Sequence, residues 1–282
     1  MESSILIPTD FSKNSWNAML YAIKLFEDRK CSFYILHAYA KETYGLDSLS
    51  LLDPDEAFNK TSENNSKKGL RETIARLHSL NKNTKHSFYA VSESMSLLSA
   101  VKNLNKKIQF DLLVLGAKGS ANKNEAAYGQ HTLEILKNVK ENPILIVPGN
   151  VDFNQPKEIV LTTNFNTNIK KSEIEYLVTI AKLSNASIQV LSLEQPSNLS
   201  FGQKRNNVKL RNQLKDVAHS FNTLRNVKMA IALNCFVAIR HSNMISYVDK
   251  KPSFWERFSF GRLSLNNLGY YAEVPVLAIH SK

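Results

Sequence analysis

Short runs of apolar and β-branched residues alternate along the first half of the chain with longer stretches whose apolar residues recur every three or four positions. The short runs predict β-strands at residues 4–8, 32–38, 86–91, 111–115 and 143–147. Residues 12–26 predict an amphipathic helix that Ser12 caps, with apolar positions at Trp16, Met19, Leu20, Ile23 and Phe26. Strict alternation of strand and helix predicts a parallel sheet with helices on both faces, which is a doubly wound α/β unit.

A longer polar stretch separates the second and third predicted strands. Residues 61–68 are rich in Asn, Ser and charged side chains, which predicts a loop or a frayed turn. Residues 70–80 have amphipathic spacing and predict a helix that follows this loop.

The chain contains an internal duplication. Residues 5–11 align with residues 159–165 at an offset of 154, and residues 142–147 align with residues 274–279 at an offset of 132. The join between the copies is expected between residues 148 and 156, where Gly, Pro and Asn break the pattern. The sequence therefore predicts two domains, residues 1–150 and 151–282.

The second copy is shorter than the first. The offset falls from 154 to 132, so 22 residues are missing inside it. We expect part of this loss before residues 227–233, which are interpreted as the counterpart of the strand at 87–91. The rest is expected where the first copy has a helix at 94–107 and the second has only residues 235–242.

Composition places the chain among ordinary globular proteins. Its 282 residues are 43% hydrophobic and 22% charged, which excludes disordered and collagen-like classes. The two cysteines, Cys31 and Cys235, are too few for a disulfide framework and lack the spacing of a zinc site. No leader pattern and no 18-residue apolar run is found, so we expect a cytoplasmic protein without a membrane span.

The net charge is +11, which raises the hypothesis of a nucleic-acid partner. Residues 1–150 hold 19 Lys and Arg against 16 Asp and Glu, whereas residues 151–282 hold 17 against 9. Most of the excess therefore lies in the second copy. The nucleic-acid hypothesis has no support besides the net charge. We therefore do not expect nucleic acid as a partner.

Two segments of the first copy carry candidate binding chemistry. Asp10 directly follows the first predicted strand, and the glycine-rich segment 116–132 follows the fourth. Ligands of open α/β sheets bind beyond the carboxyl ends of the strands, where the strand order reverses. Gly116 and Gly119 would let backbone amides face a phosphate, a helix that begins near Gly129 would offer further amides, and Lys118 would add charge. The alternative is that these glycines only form turns.

These features resemble the universal stress protein family in its tandem form. The resemblance rests on the spacing G-x2-G-x9-G, on Asp10 after the first strand and on the closing Pro-Ile-Leu-Ile-Val strand. It is strong over residues 3–40 and 108–149 and weaker over 157–282. It implies two tandem, doubly wound, Rossmann-like domains of five parallel strands, the second degenerate. It also implies ATP or another adenine nucleotide as the ligand, with Mg²⁺ accompanying the nucleotide.

The resemblance also implies roles for individual residues. It assigns Asp10 to the nucleoside, Ala38 to the adenine, and Gly116, Gly119, Gly129 and Gln130 to the phosphates and the ribose. Gln130 departs from the family pattern, which has Ser or Thr there, and Gln cannot imitate a short hydroxyl cap. Thr132 is the alternative source of a hydroxyl. His131 is a candidate anion contact, with a surface or capping role as the alternative, and Lys118 completes the predicted site.

The second copy lacks most of this pattern. Val248, Lys251 and Asn164 stand at the positions of Gly116, Gly119 and Asp10. We therefore expect that the second copy does not bind a nucleotide in the family manner. The aromatic segment 252–260 is expected to pack inside the protein, although a membrane surface, a partner groove or stacked bases are alternatives.

The sequence leaves three functions open. The favoured one is a stress-response module that binds a nucleotide in the first copy and pairs its two copies through their last strands, with or without further homodimerisation. The second is a scaffold that acts through protein contacts without a nucleotide. The third is an ATP hydrolase, for which Asp10 is the only candidate base and the sequence has no catalytic triad and no metal motif.

Overall fold

The alternating pattern of the sequence folds into one ten-stranded sheet with helices on both faces. The computed structural model describes residues 2–39, 54–118, 128–249, 271 and 273–280. The strands are β1 (Ser3–Pro8), β2 (Cys31–Ala38), β3 (His86–Glu93), β4 (Leu112–Gly116), β5 (Ile144–Val147), β6 (Glu158–Thr162), β7 (Ser187–Ser192), β8 (His219–Thr223), β9 (Met244–Asp249) and β10 (Val276–His280). The helices are α1 (Lys13–Leu25), α2 (Pro54–Leu80), α3 (Leu97–Ile108), α4 (Gln130–Asn138), α5 (Lys171–Ser184), α6 (Phe201–Leu214) and α7 (Met229–Arg240).

The strand order is β3-β2-β1-β4-β5-β10-β9-β6-β7-β8. Neighbouring strands are parallel within β1–β5 and within β6–β10, and β5 and β10 are antiparallel. The order β3-β2-β1-β4-β5 of the first five strands is the same as the order β8-β7-β6-β9-β10 of the last five. The predicted α/β class with a doubly wound parallel sheet is confirmed.

The same backbone turns recur in the two halves. Phe11 after β1 and Phe165 after β6 have φ angles of 60° and 57°. The Phe11 amide donates a hydrogen bond to the Thr9 hydroxyl at 3.0 Å, and the Phe165 amide donates to the Thr163 hydroxyl at the same distance. A positive φ is unusual for a bulky residue. Since the turn recurs at an offset of 154, this conformation belongs to the architecture shared by the two halves.

Two apolar cores lie on opposite faces of the sheet. Ile5 and Ile7 of β1 face α1 and α2, whereas Leu6 faces α3 and α4, and all three side chains are fully buried. Each such burial contributes about 1.5–3 kcal/mol to the stability of the fold. Both cores continue across the β5–β10 boundary, through Leu145 and Leu277 on one face and Ile146 and Ala278 on the other.

The loop predicted at residues 61–68 is part of α2, which runs unbroken over 27 residues. Ser66 is fully buried, and its hydroxyl lies 2.9 Å from His37 Nδ1 and 2.7 Å from Ser92 Oγ. Ser favours turns because its side chain competes for backbone hydrogen bonds. Here the hydroxyl is engaged by β2 and β3 instead, so tertiary contacts override the local preference.

The interpretation of residues 227–233 as a strand is wrong. The counterpart of β3 is β8, at His219–Thr223, and most of 227–233 lies in α7. The helix α7 has 12 residues, as does α3, so no helix is lost between 235 and 242. An unbroken apolar run fits a buried strand and a packed helix equally well, and its periodicity cannot separate them. The missing residues therefore lie between β7 and β8.

In the part of the chain that the structure describes, no helix is both long enough and apolar enough to cross a bilayer.

Candidate functional site

A cleft of about 420 Å³ lies at the carboxyl ends of β1, β2 and β4. The strand order reverses between β1 and β4, which is the position where open α/β sheets bind ligands. Six of the predicted site residues line this cleft, namely Asp10, Ala38, Gly116, Lys118, His131 and Thr132. Gly129 and Gln130 lie beside it at the start of α4. Gly119 falls outside the described residues.

The turn after β1 places Asp10 at the mouth of the cleft. One carboxylate oxygen of Asp10 accepts a hydrogen bond from the Ser12 amide at 3.1 Å, and Ser12 in turn caps α1 by accepting from the Ser15 amide. Asp10 is exposed to solvent. This carboxylate therefore supports the start of α1 while it faces the cleft.

An aromatic stack stands beside Ala38 at the end of β2. The rings of Phe11 and His37 are stacked with their centroids 4.5 Å apart, and Tyr39 lies 6.3 Å beyond His37. Burial lowers the pKa of His37, and the negative charge of Asp10 opposes this effect. The imidazole is therefore predominantly neutral at neutral pH, and His37 lines the cleft as an uncharged side chain.

Sequence reasoning did not identify this stack. His37 directly precedes Ala38 at a strand end, and this adjacency was the available signal. Nothing in the sequence indicated Ser66, which orients His37 from α2. The close approach of α2 depends on Gly69, because a Cβ atom there would lie 2.6 Å from the Phe11 ring.

The first turn of α4 offers backbone donors to the cleft. Gly129 is the N-cap, and its own amide donates to Ala117 O at 2.8 Å. The helical hydrogen bonds begin with Leu133 N, which donates to Gly129 O, so the amides of Gln130, His131 and Thr132 lack helical acceptors. These amides and the helix dipole favour an anion at this end of α4.

Thr132 does not supply a free hydroxyl for a ligand. It is buried, and its hydroxyl donates to Gly116 O at 2.9 Å. This hydrogen bond joins the start of α4 to the end of β4. A Cβ atom at Gly116 would lie 3.3 Å from Asn14 O, so glycine allows the close approach of α1 to the same strand end.

The cleft has charges of both signs. Lys118 contributes a positive charge, whereas Asp10 and Glu134 contribute negative ones. His131 Nδ1 lies 3.6 Å from Glu134 Oε2. Glu134 was not among the site residues predicted from the sequence. Within the described ranges, no group of three or more His, Cys, Asp and Glu side chains could hold a metal ion.

The same strand ends in the second half have different chemistry. Val248 stands at the position of Gly116, and the next residue, Asp249, is buried and accepts a hydrogen bond from Lys140 Nζ at 2.6 Å. His280 lies 3.9 Å from the same carboxylate, and burial and the charge of Lys140 lower its pKa to about 4. The aromatic segment 252–260 lies outside the described residues, as does Lys251.

Comparison with known proteins gives one family and a set of similar structures. The model of the universal stress protein family matches residues 1–148. A universal stress protein from Archaeoglobus fulgidus DSM 4304 is 13% identical, with 98% of both chains covered and a TM-score of 0.62. A functionally unknown protein from Pseudomonas aeruginosa PAO1 is 12% identical, with 98% of this chain and 92% of that chain covered and a TM-score of 0.56.

A universal stress protein in complex with cAMP is 18% identical and covers 52% of this chain and 98% of that chain, at a TM-score of 0.36. No curated protein matches the chain. The two structures above with TM-scores over 0.5 extend the same fold over both halves of the chain.

Proposed function

Because the chain belongs to the universal stress protein family, we propose that its cleft at the ends of β1, β2 and β4 binds an adenine nucleotide such as ATP. The observation that carries the proposal is the meeting of Asp10, Ala38, Gly116 and Lys118 with the start of α4 in one cleft at the reversal of strand order. In this proposal the protein is a cytoplasmic stress-response module, and Mg²⁺ enters with the nucleotide.

The phosphates would occupy the side of the cleft beside α4. The amides at the start of this helix, which have no acceptors within the helix, and the ammonium group of Lys118 favour negative charge there. Gln130 is exposed and would offer its side-chain amide to the phosphates or the ribose. The negative charges of Asp10 and Glu134 oppose a phosphate, which favours a ligand whose sugar or base lies next to Asp10.

The adenine would occupy the side of the cleft beside β2. Ala38 has a small side chain and leaves room for a base at this strand end. His37, which is neutral and lies between Phe11 and Tyr39, gives this side of the cleft an uncharged lining.

The second half, residues 151–282, would be a domain that pairs with residues 1–150 and does not bind a nucleotide in the same way. Asp249 places a buried carboxylate, paired with Lys140, directly after Val248, where the first half has Ala117. Val248 lacks the backbone freedom of Gly116. The antiparallel β5–β10 ladder supports pairing of the two domains through their last strands, and a homodimer of the whole chain remains compatible with this arrangement.

Isothermal titration with Mg·ATP and with cAMP tests the proposal. The unaltered chain should bind at least one of them, and Ala38→Phe should abolish binding because the larger ring fills the cleft. Lys118→Gln should weaken binding about tenfold, since a hydrogen bond to a charged group contributes about 1.5–3 kcal/mol. Lys137→Gln is the matched control, because Lys137 is an exposed lysine at the opposite end of α4. Absence of binding by the unaltered chain would overturn the proposal.

The scaffold that acts without a nucleotide is the second candidate. It is favoured by the hydroxyl of Thr132, which donates to Gly116 O rather than to the cleft, and by the exposed position of Gln130. Mass spectrometry of protein purified without added nucleotide separates the two functions. An adenine nucleotide that copurifies with the unaltered chain, and not with Ala38→Phe, excludes the scaffold.

A further inference from the structure

The outer side of α6 carries a cluster of exposed basic and apolar residues. Within α6 the sequence contains two lysines, two arginines and no Asp or Glu, and Lys215 follows its last turn. We define the basic surface of α6 by six exposed residues, which are Phe201, Lys204, Arg205, Val208, Lys209 and Lys215.

The inner side of α6 fixes the orientation of this surface. Leu210 and Leu214 are buried in the core. Gln203 and Gln213 donate side-chain hydrogen bonds to Asn164 O at 2.9 Å and to Ile169 O at 2.8 Å. Because these contacts anchor both ends of the helix, the opposite side is held outward. The Arg211 guanidinium packs over the Phe221 ring at 3.7 Å and borders the basic surface of α6.

The middle of the surface is an apolar ridge. Phe201 is 85% exposed and Val208 is 58% exposed. They are seven residues apart, which is two helical turns, so they lie on the same side of α6 about 10 Å from each other. The same helical geometry places Lys204 and Lys215 on one flank of the ridge and Arg205 and Lys209 on the other.

The cations of this surface are not paired with carboxylates of the part of the chain that the structure describes. In the described ranges, Lys204, Arg205, Lys209 and Lys215 form no ion pair with Asp or Glu, although Lys209 Nζ lies 3.5 Å from Asn168 Oδ1. The surface also lies in the half of the chain that holds 17 Lys and Arg against 9 Asp and Glu. A partner of opposite charge would therefore meet little competition from the protein itself.

We propose that the basic surface of α6 docks the protein on an anionic phospholipid surface. Lys and Arg attract the lipid headgroups, while an aromatic ring between them can enter the boundary between headgroups and acyl chains. The apolar ridge favours a membrane over nucleic acid, because Val208 has no polar atom for a phosphate or a base edge. Binding is peripheral and reversible, since one short ridge buries little apolar area.

Flotation with phospholipid vesicles tests this inference. The full chain should float with phosphatidylcholine vesicles that contain a third phosphatidylserine, and should not float with pure phosphatidylcholine. Neutralising three charges together, with Lys204→Gln, Arg205→Gln and Lys209→Gln, should weaken binding about a hundredfold, because each cation near the membrane contributes about fivefold. Phe201→Ser should weaken it about tenfold at a salt concentration that screens the charges.

A matched variant removes the same charge elsewhere. Lys102→Gln, Lys106→Gln and Lys107→Gln neutralise three exposed lysines of α3, and this variant should float as the unaltered chain does. Circular dichroism checks that each variant is folded. The inference is overturned if anionic vesicles are not bound at low salt, or if both triple variants lose binding equally. It is also overturned if Phe201→Ser floats normally while the α6 triple variant loses binding to a 30-base-pair DNA duplex, since the surface would then be a nucleic-acid site.

Discussion

Ser66 shows how one side chain links a helix to the candidate cleft. It is fully buried, and its hydroxyl joins His37 of β2 and Ser92 of β3 to α2. Ser66→Ala removes a hydroxyl that both half-buried partners contact, and a polar group left unsatisfied on burial costs about 1–3 kcal/mol. We therefore expect the free energy of unfolding, measured with urea, to fall by about 1–3 kcal/mol in Ser66→Ala.

Ser79→Ala is the control for this prediction. Ser79 lies on the same helix, but it is exposed and its hydroxyl donates only to Arg76 O at 2.9 Å. We expect this variant to change stability by less than about 0.5 kcal/mol. Equal effects of the two substitutions would contradict the linking role of Ser66.

A hydrogen bond from the Thr132 hydroxyl to Gly116 O helps to hold the junction of β4 and α4 together. Thr132→Val removes the hydroxyl and keeps the shape, so the free energy of unfolding should fall by about 1–2 kcal/mol. Thr132→Ser should retain most of the stability because it keeps the donor. If Thr132→Val lowered nucleotide affinity without lowering stability, the hydroxyl would serve the ligand and not the junction.

Elements with a clear periodicity could be predicted from the sequence, and those set by tertiary contacts could not. The apolar strands β1, β4 and β5 and the capped helix α1 follow from local pattern, and they bring Asp10 and Gly116 to one cleft. The polar middle of α2 is helical because β2 and β3 engage Ser66. Edge strand β8 has one apolar residue, Phe221, so its signal was weaker than that of the apolar helix α7.

At the scale of the whole molecule, the two halves are joined by more than the β5–β10 ladder. This ladder pairs only three residues on each strand, from Val276 with Ile146 to Ala278 with Ile144. Lys140 of the first half adds a partly buried ion pair with Asp249 of the second. His280 lies against this pair and has 1% of its side chain exposed. The boundary therefore contains charged groups whose balance depends on pH.

The pH dependence of stability reports on this boundary. The pKa of His280 is lowered to about 4 in the folded chain, mainly by burial and then by the charge of Lys140, from 6.5 in an exposed histidine. As the pH falls from 6.5 towards 4, the unfolded chain binds a proton at this residue and the folded chain does not, so stability decreases. The contribution of His280 to this loss between pH 7 and pH 4.5 should be about 2 kcal/mol. Urea unfolding of the unaltered chain and of His280→Asn at both pH values measures it. If the two proteins lose stability in parallel, His280 is protonated in the folded chain and the boundary does not exclude its charge.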